Sequence, residues 1–346
     1  MTICNACRYC EGYCAVFPAM ERRREFTPTD LAYLANLCHS CGACLPACQY
    51  APPHEFAVNV PQTLAQIRLA AYRSAVAPAV LRSAFGSVKL TLLAAAVSLL
   101  VFVLATLLLA GPQVVFSRHD GGAFFAVVSH SAMVTVFSLA GLYALVALAA
   151  GVVRFRELSG DATLNGRAFL RGLRDALQLV NLEGGGEGCA DVGETPSSSR
   201  RVLHHLTFYG FMVCFLATVV AAFYDNFLGW RAPYPLWSLP VILGTVGGVT
   251  LLIGSAGLLY LIGKRDPALT DARQKGMDVA FIILLLLTAV TGLLLLALRS
   301  TAAMGSLLAV HLGVVLGLFV TMPYGKFVHG LYRIAALMRY AGERVD

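Results

Sequence analysis

Apolar residues gather into six long runs, Val88 to Ala110, Phe124 to Val152, His204 to Phe223, Leu236 to Ile262, Met277 to Leu298 and Ala303 to Phe327, each bounded by charged or Pro/Gly-rich segments. Roughly 20 helical residues cross a hydrocarbon core of about 30 Å, so every run is long enough to span a bilayer. The pattern predicts an all-α membrane protein organised as a six-transmembrane-helix bundle over residues 88–330. Ahead of it, residues 1–60 form a separate module and 61–87 a juxtamembrane linker helix; behind it, 331–346 form a tail.

Composition strengthens this reading. Hydrophobic residues make up 58% of the 346 and charged residues only 13%, too greasy and too poor in charge for an ordinary soluble domain. The net charge of +7 does not point to nucleic acid, because the basic residues flank the apolar runs rather than forming one patch. Arg68, Arg73, Arg82 and Lys89 lead into the first run. Arg154, Arg156, Arg167, Arg171, Arg174, Arg200 and Arg201 separate the second from the third, Lys264, Arg265, Arg273 and Lys275 follow the fourth, and Lys326, Arg333, Arg339 and Arg344 follow the sixth. The opposite loops hold only Arg118, Arg231 and Arg299. The positive-inside rule then places both termini in the cytoplasm of a multi-pass membrane protein. Cysteines stand where a signal peptide would carry its charged and apolar regions. The inner loop, 154–203, contains Gly184 to Gly188 and the Pro196-Ser197-Ser198-Ser199 stretch and reads as a flexible linker.

Eight of the ten cysteines lie within the first 48 residues. Cys4, Cys7, Cys10 and Cys14 form C-x2-C-x2-C-x3-C, and Cys38, Cys41, Cys44 and Cys48 repeat the spacing. In two-cluster ferredoxins the first three thiolates of such a run hold one 4Fe-4S cluster and the fourth holds the other. Cys4, Cys7, Cys10 and Cys48 are therefore expected around one cluster, and Cys38, Cys41, Cys44 and Cys14 around the second. Zinc is the competing reading, but four evenly spaced cysteines per unit fit it less well. The usual Cys-Pro ending is missing, since Ala15 follows Cys14 and Gln49 follows Cys48. Between the repeats, Thr29 or Asp30 is expected to cap a short helix, with Arg22, Arg23 and Arg24 on a solvated turn outside it. His39 and His54 read as surface residues.

An ionisable residue inside a membrane span is costly and is a functional candidate by default. His311 and His329 are separated by five whole helical turns, about 27 Å of rise, so on a continuous sixth helix they share one face toward opposite leaflets. His130, about a turn and a half into the second span, matches the depth of His311; His204 and His205, opening the third, match His329. Facing imidazoles on two helices can hold haem iron with both axial positions filled, a ligation suited to electron transfer. One or two haems b are expected, from His130 with His311 and from His204 or His205 with His329. A quinone contact or helix packing is the rival role for His130 and His311. The outer residues Tyr224, Asp225, Trp230, Tyr234 and Trp237 read as an interfacial belt.

A cytoplasmic two-cluster module joined to a haem-bearing bundle is a wire from a soluble donor to something in the bilayer, most naturally quinone. No nucleotide loop, nucleophile with a base, or paired carboxylates in the spans offers a catalytic alternative, so the chain reads as an electron-transfer subunit rather than a stand-alone enzyme. With its doubled cysteine run, the His204-His205-Leu206-Thr207-Phe208-Tyr209-Gly210 segment and the Lys264-Arg265-Asp266-Pro267 turn, the chain resembles the tricarballylate/citrate utilization protein B family over nearly its whole length. The resemblance implies a partner FAD-dependent tricarballylate dehydrogenase, whose reduced flavin is reoxidised through clusters and haem into the quinone pool. The alternatives are the same wire serving another quinone-linked dehydrogenase or reductase, and a zinc-binding membrane scaffold.

Overall fold

The computed structural model describes residues 1–119, 123–160, 165–190 and 195–344. In chain order the α-helices are α1 (Thr2–Cys7), α2 (Val16–Glu21), α3 (Pro28–Leu37), α4 (Val60–Ala75), α5 (Val88–Ala110), α6 (Pro112–Val115), α7 (Phe124–Val127), α8 (His130–Ser159), α9 (Gly166–Gln178), α10 (Ser199–Leu228), α11 (Leu239–Lys264), α12 (Ala272–Ala297), α13 (Met304–Thr321) and α14 (Val328–Glu343). The described residues contain no β-strand beyond an isolated bridge between Cys189 and Ser197.

Among the described residues, six helical segments are long and apolar enough to cross a membrane: α5, α8, α10, α11, α12, and the stretch from Met304 to Glu343 that contains α13 and α14. Leu93, Leu100, Leu104 and Leu108 of α5 and Leu139, Leu142, Leu145 and Val146 of α8 stay exposed, as side chains facing lipid would be. Without a hydrophobic difference between lipid and protein, spans associate through close packing of small residues. An added Cβ at Gly210 of α10 would lie 2.6 Å from Leu251 N, and one at Gly247 of α11 2.7 Å from Cys214 N. Glycine at these two crossings lets the α10 and α11 backbones touch. A core of Tyr72, Phe85, Phe155, Met277, Leu284, Leu318 and Tyr332 ties α4, α8, α12 and α14 together beneath the bundle, with Phe155 stacked on Tyr332 at 4.6 Å.

The amino-terminal module packs Val16, Phe17, Met20, Tyr33, Leu34 and Leu37 against Leu64 of α4 and Ala336, Leu337 and Tyr340 of α14. Helix α3 opens with a capping box. Thr27 accepts from Asp30 N and the Asp30 carboxylate accepts from Thr27 N, with Pro28 at the first position. The cap therefore lies two residues ahead of Thr29, and Asp30 serves as its third residue rather than the cap itself.

Three expectations change. The loop over 154–203 is no linker: α9 forms, and Gly172 lies so close to α14 that a Cβ there would sit 2.7 Å from Met338 N. Beyond α9 the loop wraps the cysteine module, with Gly185 N bonded to Tyr13 O at 3.1 Å and Ala190 N to Cys41 O at 2.9 Å. Gly185, at φ 81°, and Gly188, at φ 114°, supply backbone conformations that side chains disfavour, so the glycines that look like looseness form a tight wrap. Residues 161–164 and 191–194 of this loop, and 345–346 of the tail, lie outside the described residues.

Second, the sixth span is interrupted. A 3-10 turn at Met322–Tyr324 and the extended Gly325 separate α13 from α14, because Pro323 and Gly325 break the helical pattern. His311 and His329 therefore do not share one continuous helix. Third, the second run breaks at Val128–Ser129, so His130 is the first residue of α8 under a Ser129 cap. His311, by contrast, is about 10 Å along α13 from its start.

Candidate redox site at the cysteine-module end of the bundle

The eight motif cysteines fall around two neighbouring cavities. One is lined by Cys14, Cys38, Cys41 and Cys44, with His39, Tyr13, Phe17 and Leu64 among its other walls. The second is lined by Cys4, Cys7, Cys10 and Cys48, with Cys44 at its edge. Both sets draw three residues from one run and the fourth from the other. Local turns build them: Arg8 in the left-handed region ends α1 between Cys7 and Cys10, and Ser40, at φ 53°, turns the chain between Cys38 and Cys41.

Electrostatics shows what such a group requires. Burial, reinforced by the neighbouring cysteines, pushes the Cys10 thiol up to about 12 and Cys14 and Cys44 well above the ordinary range. These thiols become ligating thiolates only around a cationic centre. Among the described residues, no three His, Cys, Asp or Glu side chains converge as ligands of one metal ion. Two crossed sets of four thiols around separate cavities suit polynuclear centres, which spread their ligands over several iron atoms.

His39, expected at the surface, is 4% exposed. Its Nδ1 pairs with Leu37 O at 2.8 Å, while Nε2 is buried without a hydrogen-bond partner. Burial first, then Arg333 and Arg68, hold the imidazole well below its usual range, so it is neutral. His54 is half-buried among Tyr50 and Phe56. Of the three arginines assigned to a solvated turn, Arg22 and Arg24 are exposed, whereas Arg23 is paired with Asp30 at 2.6 Å and with Glu343 at 2.5 Å.

The histidines divide by position. Beside the cysteine module, His204 of α10 and His329 of α14 face each other, ring centroids 5.9 Å apart at 77°. His329 Nδ1 pairs with Lys326 O at 2.6 Å, and His204 Nδ1 is buried without a partner. His205 turns the other way, toward Tyr209 and the Leu177 and Gln178 carbonyls at the end of α9. At the other end of α10, His130 Nε2 lies 2.5 Å from Asp225 Oδ2 and its ring stands edge-on to Phe125. His311 Nδ1 meets Thr291 Oγ1 at 2.9 Å, and Gly292 leaves room beside its ring. His204 and His329 meet; His130 and His311 each have another partner.

Four arginines, which the sequence did not single out as a group, join the cysteine module to the histidines. Arg333 Nη2 donates to Cys38 O at 2.8 Å, Arg200 Nη1 to Ser40 O at 2.6 Å, and Arg265 also reaches Ser40 O. Arg68 Nη1 donates to Ser40 Oγ at 2.9 Å and its Nε to Ala35 O at 2.8 Å. Arg200 and His204 are one turn apart on α10, and His329 and Arg333 one turn apart on α14. The helices that present the imidazoles thus grip the Cys38–Cys41 loop one turn nearer the module. A signal for Arg68 was available, since it falls between Leu64 and Tyr72 on the apolar face of α4.

Comparison with known proteins agrees with this division. Residues 84–346 match the family model "Citrate utilization protein B", and residues 1–74 match "Citrate utilization protein B Fer4-like domain". Among curated proteins, citrate utilization protein B of Escherichia coli is 50% identical over 347 aligned positions, covering 99% of this chain and 91% of that protein. No solved structure matches.

Proposed function

Because this chain belongs to the citrate utilization protein B family, we propose that it carries electrons from a reduced FAD-dependent dehydrogenase, through two 4Fe-4S clusters and haem b, to membrane quinone. The family and its Fer4-like domain support the iron-sulfur part of this role in citrate utilization. The six membrane-length helices fit a lipid bilayer, with both termini cytoplasmic. Tricarballylate is the substrate assigned to the partner, on the family resemblance.

The observation that carries the reading is contiguity. The Cys38–Cys41 loop and the facing His204 and His329 are attached to successive turns of α10 and α14, so the module abuts the imidazole pair without an intervening domain. Cys4, Cys7, Cys10 and Cys48 would hold one cluster and Cys38, Cys41, Cys44 and Cys14 the other. His204 and His329 would hold a haem, with the Lys326 carbonyl fixing the His329 tautomer so that Nε2 is the ligand. When bound, these groups supply one-electron carriers between a two-electron flavin and a two-electron quinone.

The chain's own residues do the rest. The buried core of Phe17, Leu34 and Leu37 excludes water from the cysteines, and the arginines fix the module on the bundle. A second haem between His130 and His311 requires the His130 imidazole to exchange Asp225 for iron. Anaerobically purified protein should contain about eight irons in acid-labile clusters and show reduced-haem absorption bands. Colourless, zinc-containing protein would overturn the proposal.

A further inference from the structure

The grip on the Cys38–Cys41 loop involves more charge than docking needs. Arg68 is 1% exposed, and every hydrogen bond it makes among the described residues ends on a neutral oxygen: Ala35 O, Ser40 Oγ and Gln274 Oε1. Its Nη2 is buried without a partner. Arg333, half-buried, likewise bonds only Asn36 O at 3.3 Å and Cys38 O at 2.8 Å, and is within electrostatic reach of Cys38 and Arg68. Two guanidinium groups within electrostatic reach of each other, neither bonded to a carboxylate among the described residues, are costly to bury, and such charges persist where something negative compensates them. Asp278, an acid among the described residues that acts on Tyr72 in the same core, is paired with Lys326 at 2.7 Å.

The negative charge the arginines face is the thiolate set at Cys38, Cys41, Cys44 and Cys14. Among the described residues the other set meets less fixed charge: the Met1 amino group acts on Cys4, Cys7 accepts a 3.6 Å contact from the neutral Gln49 amide, and Arg8, the basic residue within that run, turns to Asn5 O. We propose that Arg68 and Arg333 give the centre held by Cys38, Cys41, Cys44 and Cys14 a higher reduction potential than the centre held by Cys4, Cys7, Cys10 and Cys48. The inference rests on the iron-sulfur reading above and adds an asymmetry to it.

The physical reason is charge. Reduction adds one electron and no proton to a cluster already negative through its thiolates, and nearby fixed cations stabilise the more negative form. Donors to the loop backbone act in the same direction. An electron given up by one centre and gained by the other would then run downhill toward the bundle, where His204 and His329 lie. Arg68 and Arg333 are positioning residues, since they touch the loop and not the transferred electron.

The test is a potentiometric titration of the intact protein, followed by electron paramagnetic resonance, with iron and sulfide content measured on the same samples. Arg333→Gln should lower the potential of one of the two centres and leave the other in place, while Arg333→Lys, which keeps the charge, should stay near the parent. The shifted signal should be the one lost in Cys44→Ser. Where Arg333→Gln does not accumulate with both centres, the pair Arg68→Gln and Arg68→Lys gives the same comparison. Unmoved potentials, equal shifts of both centres, or a Lys variant shifted as far as the Gln variant would overturn the inference and leave the iron-sulfur reading standing. A parent protein without two iron-sulfur signals would overturn that reading and the inference together.

Discussion

Arg23 Nη2 lies 2.5 Å from Glu343 Oε1, joining two residues 320 positions apart in the chain. Tyr33 OH donates to the other oxygen of the same carboxylate at 3.1 Å, and Arg339 stacks over the Tyr33 ring at 4.2 Å. This knot closes the amino-terminal module onto α14. It also makes the module's stability depend on a helix encoded at the far end of the chain.

Asp30 sits in the same knot and gives it a pH dependence. Burial raises its carboxyl, but hydrogen bonds from Thr27 and Arg23, and the Arg23 charge, together outweigh burial and leave it below the ordinary 3.8. A depressed carboxyl stabilises the fold above its unfolded value, and that contribution is lost as pH falls through the folded value. Thermal unfolding of the purified protein should therefore weaken from about pH 5 downward. Asp30→Asn should unfold at lower temperature near neutrality and show a flatter acid slope. An unchanged slope would assign the acid sensitivity to other carboxylates.

The crossed arrangement of the cysteines can be tested directly. Cys14→Ser should remove the same resonance signal as Cys44→Ser, and Cys48→Ser the same signal as Cys7→Ser, with iron falling to about half in each case. If Cys14→Ser instead matched Cys7→Ser, each run would hold its own centre and the two cavities would have been wrongly paired with the motifs.

Haem binding between His204 and His329 gives a third expectation. His329→Ala and His204→Ala should each lose reduced-haem absorption, while His205→Ala should retain it, because His205 faces the end of α9. His311→Ala separates one haem from two: full haem content in that variant would confine haem to the His204 and His329 pair. Equal loss in the His204 and His205 variants would contradict the orientation seen here.

The α10 and α11 contact gives a purely structural prediction. Gly247→Val places a side chain against the Cys214 backbone at 2.7 Å and should destabilise the protein by about 1–3 kcal/mol. Gly263→Ala, with open space around it, should be close to neutral. Unfolding in detergent measures both, and a neutral Gly247→Val would show that the two helices can part without cost.

The spans were legible because each is an apolar run of sufficient length, and the cysteines because their spacing repeats. What stayed hidden depended on distant partners. His39 looks like a surface residue beside Cys38, and only packing against α4, α10 and α14 buries it. Gly184 to Gly188 carries the composition of a linker, yet its backbone bonds to Tyr13, a contact across more than 170 residues. The break at Pro323 and Gly325 could be read locally, and the unbroken-helix geometry for His311 and His329 failed by passing over it. The Arg68 side chain was visible as a charge on an apolar face, but its role appears only with the Cys38–Cys41 loop set against it.

Ala336, Leu337 and Tyr340 complete the core beneath Phe17 and Tyr33, and α14, which carries them, is translated after α13 and the five long helices before it. The cysteine cradle therefore stands ajar until α14 is in place. Whatever binds between those thiols has that whole interval to arrive.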